Sequence, residues 1–96
     1  MSEIKLKLDQ RGRGAFYIEE NKEQLGEMVI GVSETTLTVY HTEVAPEMEG
    51  QGLAKQMLEK MVEYARDKKI QVIPLCEYVL AQFKRHPDEY ADIWKK

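Results

Sequence analysis

The first half of the chain alternates apolar and polar residues in the manner of β-strands. Residues 4–8 place Ile and Leu between charged side chains, which predicts a half-buried strand. Short polar turns then separate three further predicted strands, at residues 15–19, 24–32 and 37–44. The last of these is rich in Thr, Val and Tyr, which pleated sheets favour. Because short turns join neighbouring antiparallel strands, this half predicts an antiparallel meander.

The second half changes to the three- and four-residue spacing of an amphipathic helix. Apolar residues recur at this spacing from about residue 51 to residue 66 and form one stripe, which predicts a long helix. Residues 70–75 are almost wholly apolar, as expected of a strand that is covered on both faces. The long helix can serve as a crossover connection, so this fifth strand can lie parallel to the fourth.

Two short helices are predicted at the end of the chain. The first runs from about residue 77 to residue 84 and stops at His86-Pro87. Pro87 opens the second, whose last turn would carry Lys95 and Lys96 at the favourable negative pole. Its buried face would consist of Tyr90, Ile93 and Trp94.

Bulk composition narrows the class of protein. The chain has 96 residues, which indicates a single domain over residues 1–96, and 43% apolar with 32% charged residues is typical of a globular protein. A net charge of −3 gives no electrostatic case for binding nucleic acid directly or for binding an anionic membrane. The basic tetrapeptide Arg11-Gly12-Arg13-Gly14 is therefore interpreted as a hairpin turn and not as part of an RNA-binding tract.

Cysteine and histidine usage narrows the class further. A single cysteine, Cys76, cannot form an internal disulfide, which suits a reducing compartment. The N-terminus lacks the apolar block of a signal peptide, and no apolar run is long enough to span a bilayer. We expect an intracellular protein, cytoplasmic or nuclear. The two histidines and the cysteine are far apart in sequence, so no metal site is expected.

The most informative segment is the glycine-rich turn from Gly50 to Lys55, between a predicted strand and the long helix. Glycine lets the backbone approach a ligand closely. The first N–H groups of a helix lack partners and lie at its positive pole, so the segment suits a pyrophosphate. The alternative is a turn with only a structural role. A dinucleotide fingerprint would need a third glycine in place of Lys55, and the glycine spacing does not fit a Walker loop.

A strand meander, a Gly-x-Gly turn into a long helix and a buried strand that ends near Cys76 follow one another along the chain. This order resembles the GCN5-related N-acetyltransferases (GNAT), and more narrowly a short, single-domain GNAT-like subfamily. The resemblance extends from the second strand to Tyr90. The segments that carry it are His41-Thr42-Glu43-Val44, Gly50-Gln51-Gly52-Leu53-Ala54, Pro74-Leu75-Cys76-Glu77-Tyr78-Val79 and His86-Pro87-Asp88-Glu89-Tyr90.

The resemblance implies an α+β fold of the GNAT type. The expected fold is a mostly antiparallel mixed β-sheet with a parallel strand pair at the coenzyme site, flanked by one long and two short helices. It also implies that the pyrophosphate of acetyl-CoA lies on the backbone of Gly50 to Lys55, and that the pantetheine arm lies between the fourth and fifth strands. The expected coenzyme-binding residues are Val44, Ala45, Gly50, Gln51, Gly52, Leu53, Ala54, Lys55, Lys84 and Arg85.

Charged residues near these segments allow more than one interpretation. Lys84 and Arg85 can meet the 3′-phosphate of coenzyme A, or simply stabilise the negative end of the penultimate helix. Glu47 stands where the family motif has Gln or Arg, and Glu49 directly precedes Gly50. Two carboxylates beside a phosphate are unfavourable unless they point to water or meet a lysine.

The implied function is an acetyl-CoA-dependent N-acetyltransferase. The acceptor would be an amine, such as a protein lysine on a histone-like partner, and no metal is needed. Two alternatives stay open: a coenzyme-A-binding module with little or no catalysis, and a small protein-interaction domain. The chain is too short for the paired helices that cover the substrate groove in larger GNAT enzymes, which favours an extended or protein substrate. The sequence is compatible with both a monomer and a homodimer.

Four residues are candidates for catalysis. Cys76 can accept the acetyl group as a nucleophile, line the channel beside the coenzyme sulfur, or be a small buried apolar residue. His41 and Glu43 are two apart on a strand and so face one side, where they can take a proton from the amine or simply satisfy each other's hydrogen bonds. Tyr78 can protonate the leaving thiolate, or pack with its hydroxyl at the surface.

Overall fold

A computed structural model describes residues 3–96 as a five-stranded sheet with helices packed on it. The strands are β1 (Ile4–Leu8), β2 (Arg13–Glu20), β3 (Glu23–Val32), β4 (Thr36–Val44) and β5 (Gln71–Pro74). The helices are α1 (Leu53–Lys68), α2 (Glu77–Arg85) and α3 (Pro87–Tyr90), with a 3₁₀ turn at Pro46–Met48. The strands lie side by side in the sheet in the same order as in the chain. Among the strands of residues 3–96, only the neighbours β4 and β5 are parallel. The α+β fold expected from the sequence is confirmed.

The core lies on one face of the sheet. Successive side chains of a strand point to opposite faces, so the buried positions define the covered face. They are Phe16, Ile18, Met28, Ile30, Leu37, Val39 and Val72. Apolar residues of α1, α2 and α3 belong to the same cluster, including Met57, Met61, Val79 and Phe83. Among residues 3–96, no helix packs against the opposite face, which we call the open face.

Strands β4 and β5 separate from each other towards the N-termini of α1 and α2. Backbone pairing ends at Val39 and Pro74, whereas β4 continues to Val44. Ile30 pairs with Val39 and Val29 with His41, so Tyr40 is an extra residue that forms a β-bulge. The Val39 carbonyl accepts hydrogen bonds from the N–H groups of Leu75 and Cys76, at 3.1 and 2.9 Å. The chain then enters α2, which leaves a gap between the end of β4 and the start of α2.

The final helix is shorter than predicted. It ends at Tyr90, and the chain then runs beside β5, where Trp94 forms a parallel bridge with Val72. The Val72 N–H donates to the Ile93 carbonyl at 2.6 Å, and the Lys95 N–H donates to the Val72 carbonyl at 2.9 Å. These bonds pair the backbone groups of Val72 at the outer edge of β5. A helix that continued past Tyr90 could not supply these hydrogen bonds. Tyr90 and Ile93 are buried as predicted.

Two strands are less covered than predicted. Leu6 and Leu8 are 37% and 38% exposed because β1 is the edge strand and lies beyond the helical layer. In β5, Ile73 is half-buried and the next residue but one, Leu75, is 62% exposed, since no helix covers the open face. A hairpin joins β1 and β2 as expected, but its turn lies at residues 9–12, and Arg13 and Gly14 belong to β2. No helix within residues 3–96 is long and apolar enough to span a bilayer.

Candidate functional site

A pocket of about 310 Å³ lies at the N-terminus of α1. It brings together the end of β4, the glycine turn and the first turn of α2. The residues that line it are Val44, Met48, Glu49, Gly50, Gly52, Leu53, Ala54, Lys55 and Tyr78. Most of the residues expected to bind the coenzyme therefore surround one cavity. Gln51 is exposed beside it, and Ala45 lines a neighbouring pocket. Glu49 was expected beside the phosphate as an unfavourable charge, whereas no sequence motif marked Met48 as a pocket residue.

The backbone of the glycine turn presents unpartnered N–H groups. Gly50 and Gly52 have φ of 83° and 78°, the left-handed region that glycine adopts without strain. The Gln56 N–H donates to the Gly52 carbonyl at 3.1 Å. Among residues 3–96, the N–H groups of Gly50 and of residues 52–55 donate to no protein acceptor. Together with the helix dipole, they form an anion site made by the backbone.

The side chains around the turn leave this anion site open. A Cβ placed on Gly50 or Gly52 would meet nothing within 4 Å, so both glycines face open space. The carboxylates of Glu47 and Glu49 are exposed, and neither pairs with Lys55 among the described residues. Water therefore screens both carboxylates, which reduces their repulsion of a bound phosphate.

Cys76 is buried at the far end of the gap between β4 and α2. It is 6% exposed and forms the N-cap of α2. Its Sγ lies 3.2 Å from the Thr42 Oγ1, which reaches across from β4. This contact joins β4 to α2 after backbone pairing has ended. Sequence reasoning missed Thr42, and no local signal could have found it, because 34 positions separate the two residues.

Tyr78 lies between the pocket and Cys76. Burial raises the pKa of its hydroxyl, the neighbouring Cys76 and Glu59 raise it further, and Arg85 lowers it. The hydroxyl therefore stays protonated beyond the usual tyrosine value of about 10. The hydroxyl belongs to a half-buried side chain that lines the cavity.

His41 and Glu43 lie together on the open face. The His41 Nε2 is 3.2 Å from a Glu43 carboxylate oxygen, and the two side chains are 61% and 70% exposed. The expectation that they face one side is confirmed, since the bulge at Tyr40 precedes them and leaves their spacing regular. Thr42 lies between them on β4 and points to the covered face. The four catalytic candidates thus form two pairs, with Cys76 and Tyr78 on one side of β4 and His41 and Glu43 on the other.

The two basic residues at the end of α2 differ in position. Arg85 is exposed, but its charge lowers the pKa of Tyr78, so it lies on the pocket side of α2. Arg85 follows Tyr78 by about two helical turns, which places both on one face of the helix. Lys84 is exposed and follows Tyr78 by six residues, which places it on a different face of α2. No group of three His, Cys, Asp or Glu side chains within residues 3–96 is placed to hold a metal ion.

Comparison with known proteins identifies relatives of this chain. A family model described as GCN5-related N-acetyl-transferase matches residues 15–93. A search of curated proteins gives no match. Among solved structures, the chain is similar to a GCN5-like protein from Staphylococcus aureus assigned to the N-acetyltransferases, with 28% identity and a TM-score of 0.70. The alignment covers 99% of this chain and 91% of that one.

Larger acetyltransferases share the fold at lower identity. A ribosomal-protein-alanine N-acetyltransferase from Brucella melitensis is 15% identical with a TM-score of 0.63, over 92% of this chain and 67% of that one. The ribosomal-protein-S18-alanine N-acetyltransferase from Escherichia coli is 18% identical with a TM-score of 0.59, over 67% of this chain and 41% of that one. The present chain therefore matches only part of these larger proteins.

Proposed function

The chain belongs to the GCN5-related N-acetyltransferase family and is an acetyl-CoA-using acyltransferase, and from this premise we propose that it acetylates an amine on a protein, such as a lysine side chain. The observation that carries the proposal is the set of N–H groups at Gly50 and residues 52–55, which have no acceptor among residues 3–96 and lie beside the gap between β4 and α2. The helix-free open face leaves room for a large acceptor on the other side of β4.

The coenzyme is proposed to lie along the gap with its pyrophosphate on the glycine turn. The edge of β4 supports this placement. The Ala45 N–H donates to the Leu25 carbonyl, and hydrogen-bonded pairs alternate along an antiparallel ladder. The backbone groups of Glu43 therefore face β3, while those of Thr42 and Val44 face the gap and are free to bond the pantetheine arm. Arg85, on the same side, suits the 3′-phosphate.

The two pairs of side chains fit the two proton transfers of the reaction. His41, oriented by Glu43, takes a proton from the acceptor ammonium directly or through water. The free amine forms a C–N bond at the thioester carbonyl carbon, the nitrogen releases its second proton to water, and the C–S bond breaks. Tyr78 donates its proton to the departing thiolate, since its raised pKa keeps the hydroxyl neutral.

Cys76 is proposed to line the channel and not to carry the acetyl group. Its thiol is 6% exposed and is already hydrogen-bonded with Thr42, so it is poorly placed to attack a thioester. We expect Cys76→Ser to keep turnover within about threefold of the wild type, since side chains away from the reacting atoms change rates little. Initial-velocity lines for acetyl-CoA and acceptor should intersect. Parallel lines, the pattern of a covalent intermediate, would contradict direct transfer.

Coenzyme binding is tested by replacing Gly52 with each of two isosteric side chains. Asn and Asp both tolerate the left-handed conformation, and neither collides with protein, because nothing lies within 4 Å of a Cβ at this position. The two variants differ only in charge beside the anion site. We expect Gly52→Asp to bind acetyl-CoA at least about tenfold more weakly than Gly52→Asn in calorimetric titration. Equal affinities would contradict a phosphate at this turn, and a wild type that binds no acetyl-CoA would remove the proposed function.

A further inference from the structure

The open face of the sheet carries a charge gradient from β1 to β4. Four side chains form one row across the strands as direct neighbours in the pairing register, in the order Lys5, Tyr17, Glu27 and Glu43. The row is basic at the sheet edge, aromatic in the middle and acidic beside the reaction gap. The gradient is therefore built into the register of three strand pairs.

A second row runs beside the first and also begins with a lysine on β1. It consists of Lys7, Ala15, Val29 and His41. Ala15 is buried and Val29 is half-buried, so the middle of the row is apolar and projects little from the sheet. The Lys7 Nζ lies 5.1 Å from the centre of the Tyr17 ring. This cation–π contact holds the Lys7 ammonium close to the surface of the sheet. The two rows together form a shallow groove, basic at one end and acidic at the other.

The acidic end adjoins the proposed reaction site. Glu27 and Glu43 are directly opposite each other on β3 and β4, a like-charge pairing that destabilises a sheet. Both line a pocket of about 370 Å³ that also includes Val44 and Ala45. Val44 lines the coenzyme pocket as well. Glu27 forms no ion pair among residues 3–96, so its charge is available to a partner.

We propose that this groove docks an extended acceptor peptide that crosses the strands and is read by its charges. Three strand spacings of about 4.8 Å separate Glu43 from Lys5, about 14 Å in total, which four extended residues span at roughly 3.3 Å each. The preferred acceptor has a basic residue next to the modified lysine, facing Glu27 and Glu43. It has an acidic residue about four positions from that lysine, facing Lys5 and Lys7. This specificity rests on the proposed transfer to a protein amine.

The test measures peptide binding and does not depend on turnover. Two fluorescein-labelled peptides contain one lysine each. The first has Arg beside that lysine and Glu four positions away, and the second has the Arg and Glu exchanged. Both are made in forward and reversed sequence order, because the direction of the chain in the groove is open. Fluorescence anisotropy in the presence of saturating coenzyme A should show that the wild type prefers the first peptide about fivefold, as expected for partly exposed charge pairs.

A charge reversal then locates the contact. Glu27→Lys should reverse the preference, so that the second peptide binds more tightly. Asp67→Lys makes the same change in net charge on an exposed position of α1 and should leave the preference as in the wild type. Equal binding of the two peptides by the wild type, binding of neither, or the same effect from both substitutions would overturn the proposal. So would a dimer that dissociates on Glu27→Lys, because a second copy would then occupy the groove. Loss of transfer with the peptide preference intact would instead count against the proposed function alone.

Discussion

Replacing Tyr78 with Phe is expected to lower the turnover number about a hundredfold, the lower end of the range for losing a general acid. The substitution removes only the hydroxyl oxygen, so the half-buried ring still fills the side of the pocket at the N-terminus of α1. Acetyl-CoA affinity should therefore stay within about twofold of the wild type. Steady-state kinetics with a lysine peptide, together with calorimetric titration of acetyl-CoA, separates the two effects.

The pH dependence of turnover adds an independent check on Tyr78. Because burial raises its pKa, the decline in turnover that reflects its ionisation should have its midpoint above the usual tyrosine pKa of about 10. Tyr64→Phe is the matched control, since it removes a hydroxyl from a half-buried tyrosine on α1 outside the coenzyme pocket. Unchanged turnover in Tyr78→Phe, or an equal loss in Tyr64→Phe, would exclude Tyr78 as the proton donor.

Replacing Phe83 with Ala is expected to destabilise the fold by about 3–4 kcal/mol, the usual loss for a buried phenylalanine. The Phe83 side chain is fully buried, with its ring centre 4.7 Å from that of Tyr90 and 5.6 Å from that of Trp94. It fixes α2 against the C-terminal segment. Domains of this size are stable by only about 5–15 kcal/mol, so the loss would lower the denaturation midpoint strongly. Urea unfolding with a global fit measures it.

A conservative variant at the same site separates packing from other effects. Phe83→Leu keeps most of the apolar volume and should cost about half as much as Phe83→Ala, because the cavity it leaves is smaller. α2 also positions Cys76 and Tyr78, so the Ala variant should bind acetyl-CoA less well even under conditions where it is folded. A loss of stability below about 1 kcal/mol would show that α2 is held in place by other contacts.

The elements with strong periodicity were predictable from the sequence alone. The stripe on α1 is buried where the spacing predicted, at Met57, Leu58 and Met61 among others, because a helix between a sheet and water admits only one such face. Strand boundaries fell within about two residues of the prediction. The family resemblance drawn from the separated segments is confirmed by the match over residues 15–93.

The predictions that were wrong concern features that depend on contacts between residues distant in sequence. Local capping signals predict that the final segment is helical, but Trp94 pairs with β5 instead. Capping signals depend on neighbouring residues and carry no information about the unpaired backbone groups at the edge of β5. The sequence predicted that Leu75 and Leu6 are buried, but both are exposed. Leu75 is exposed because no helix of residues 3–96 covers the open face, and Leu6 is exposed because β1 is an edge strand. The bond from Cys76 to Thr42 likewise depends on how β4 and α2 meet. The roles of individual site residues stay predictions.

Coenzyme binding at the glycine turn is tested most directly by following the backbone amide resonances of isotope-labelled protein while acetyl-CoA is added. We predict the largest shifts at Gly50 and residues 52–55, whose N–H groups have no acceptor in the described part of the chain, with smaller shifts at Thr42 and Val44 along the gap. Val29 on the open face should not move. Unchanged amides at the turn in the presence of excess acetyl-CoA, or shifts confined to other parts of the chain, would contradict coenzyme binding at this site.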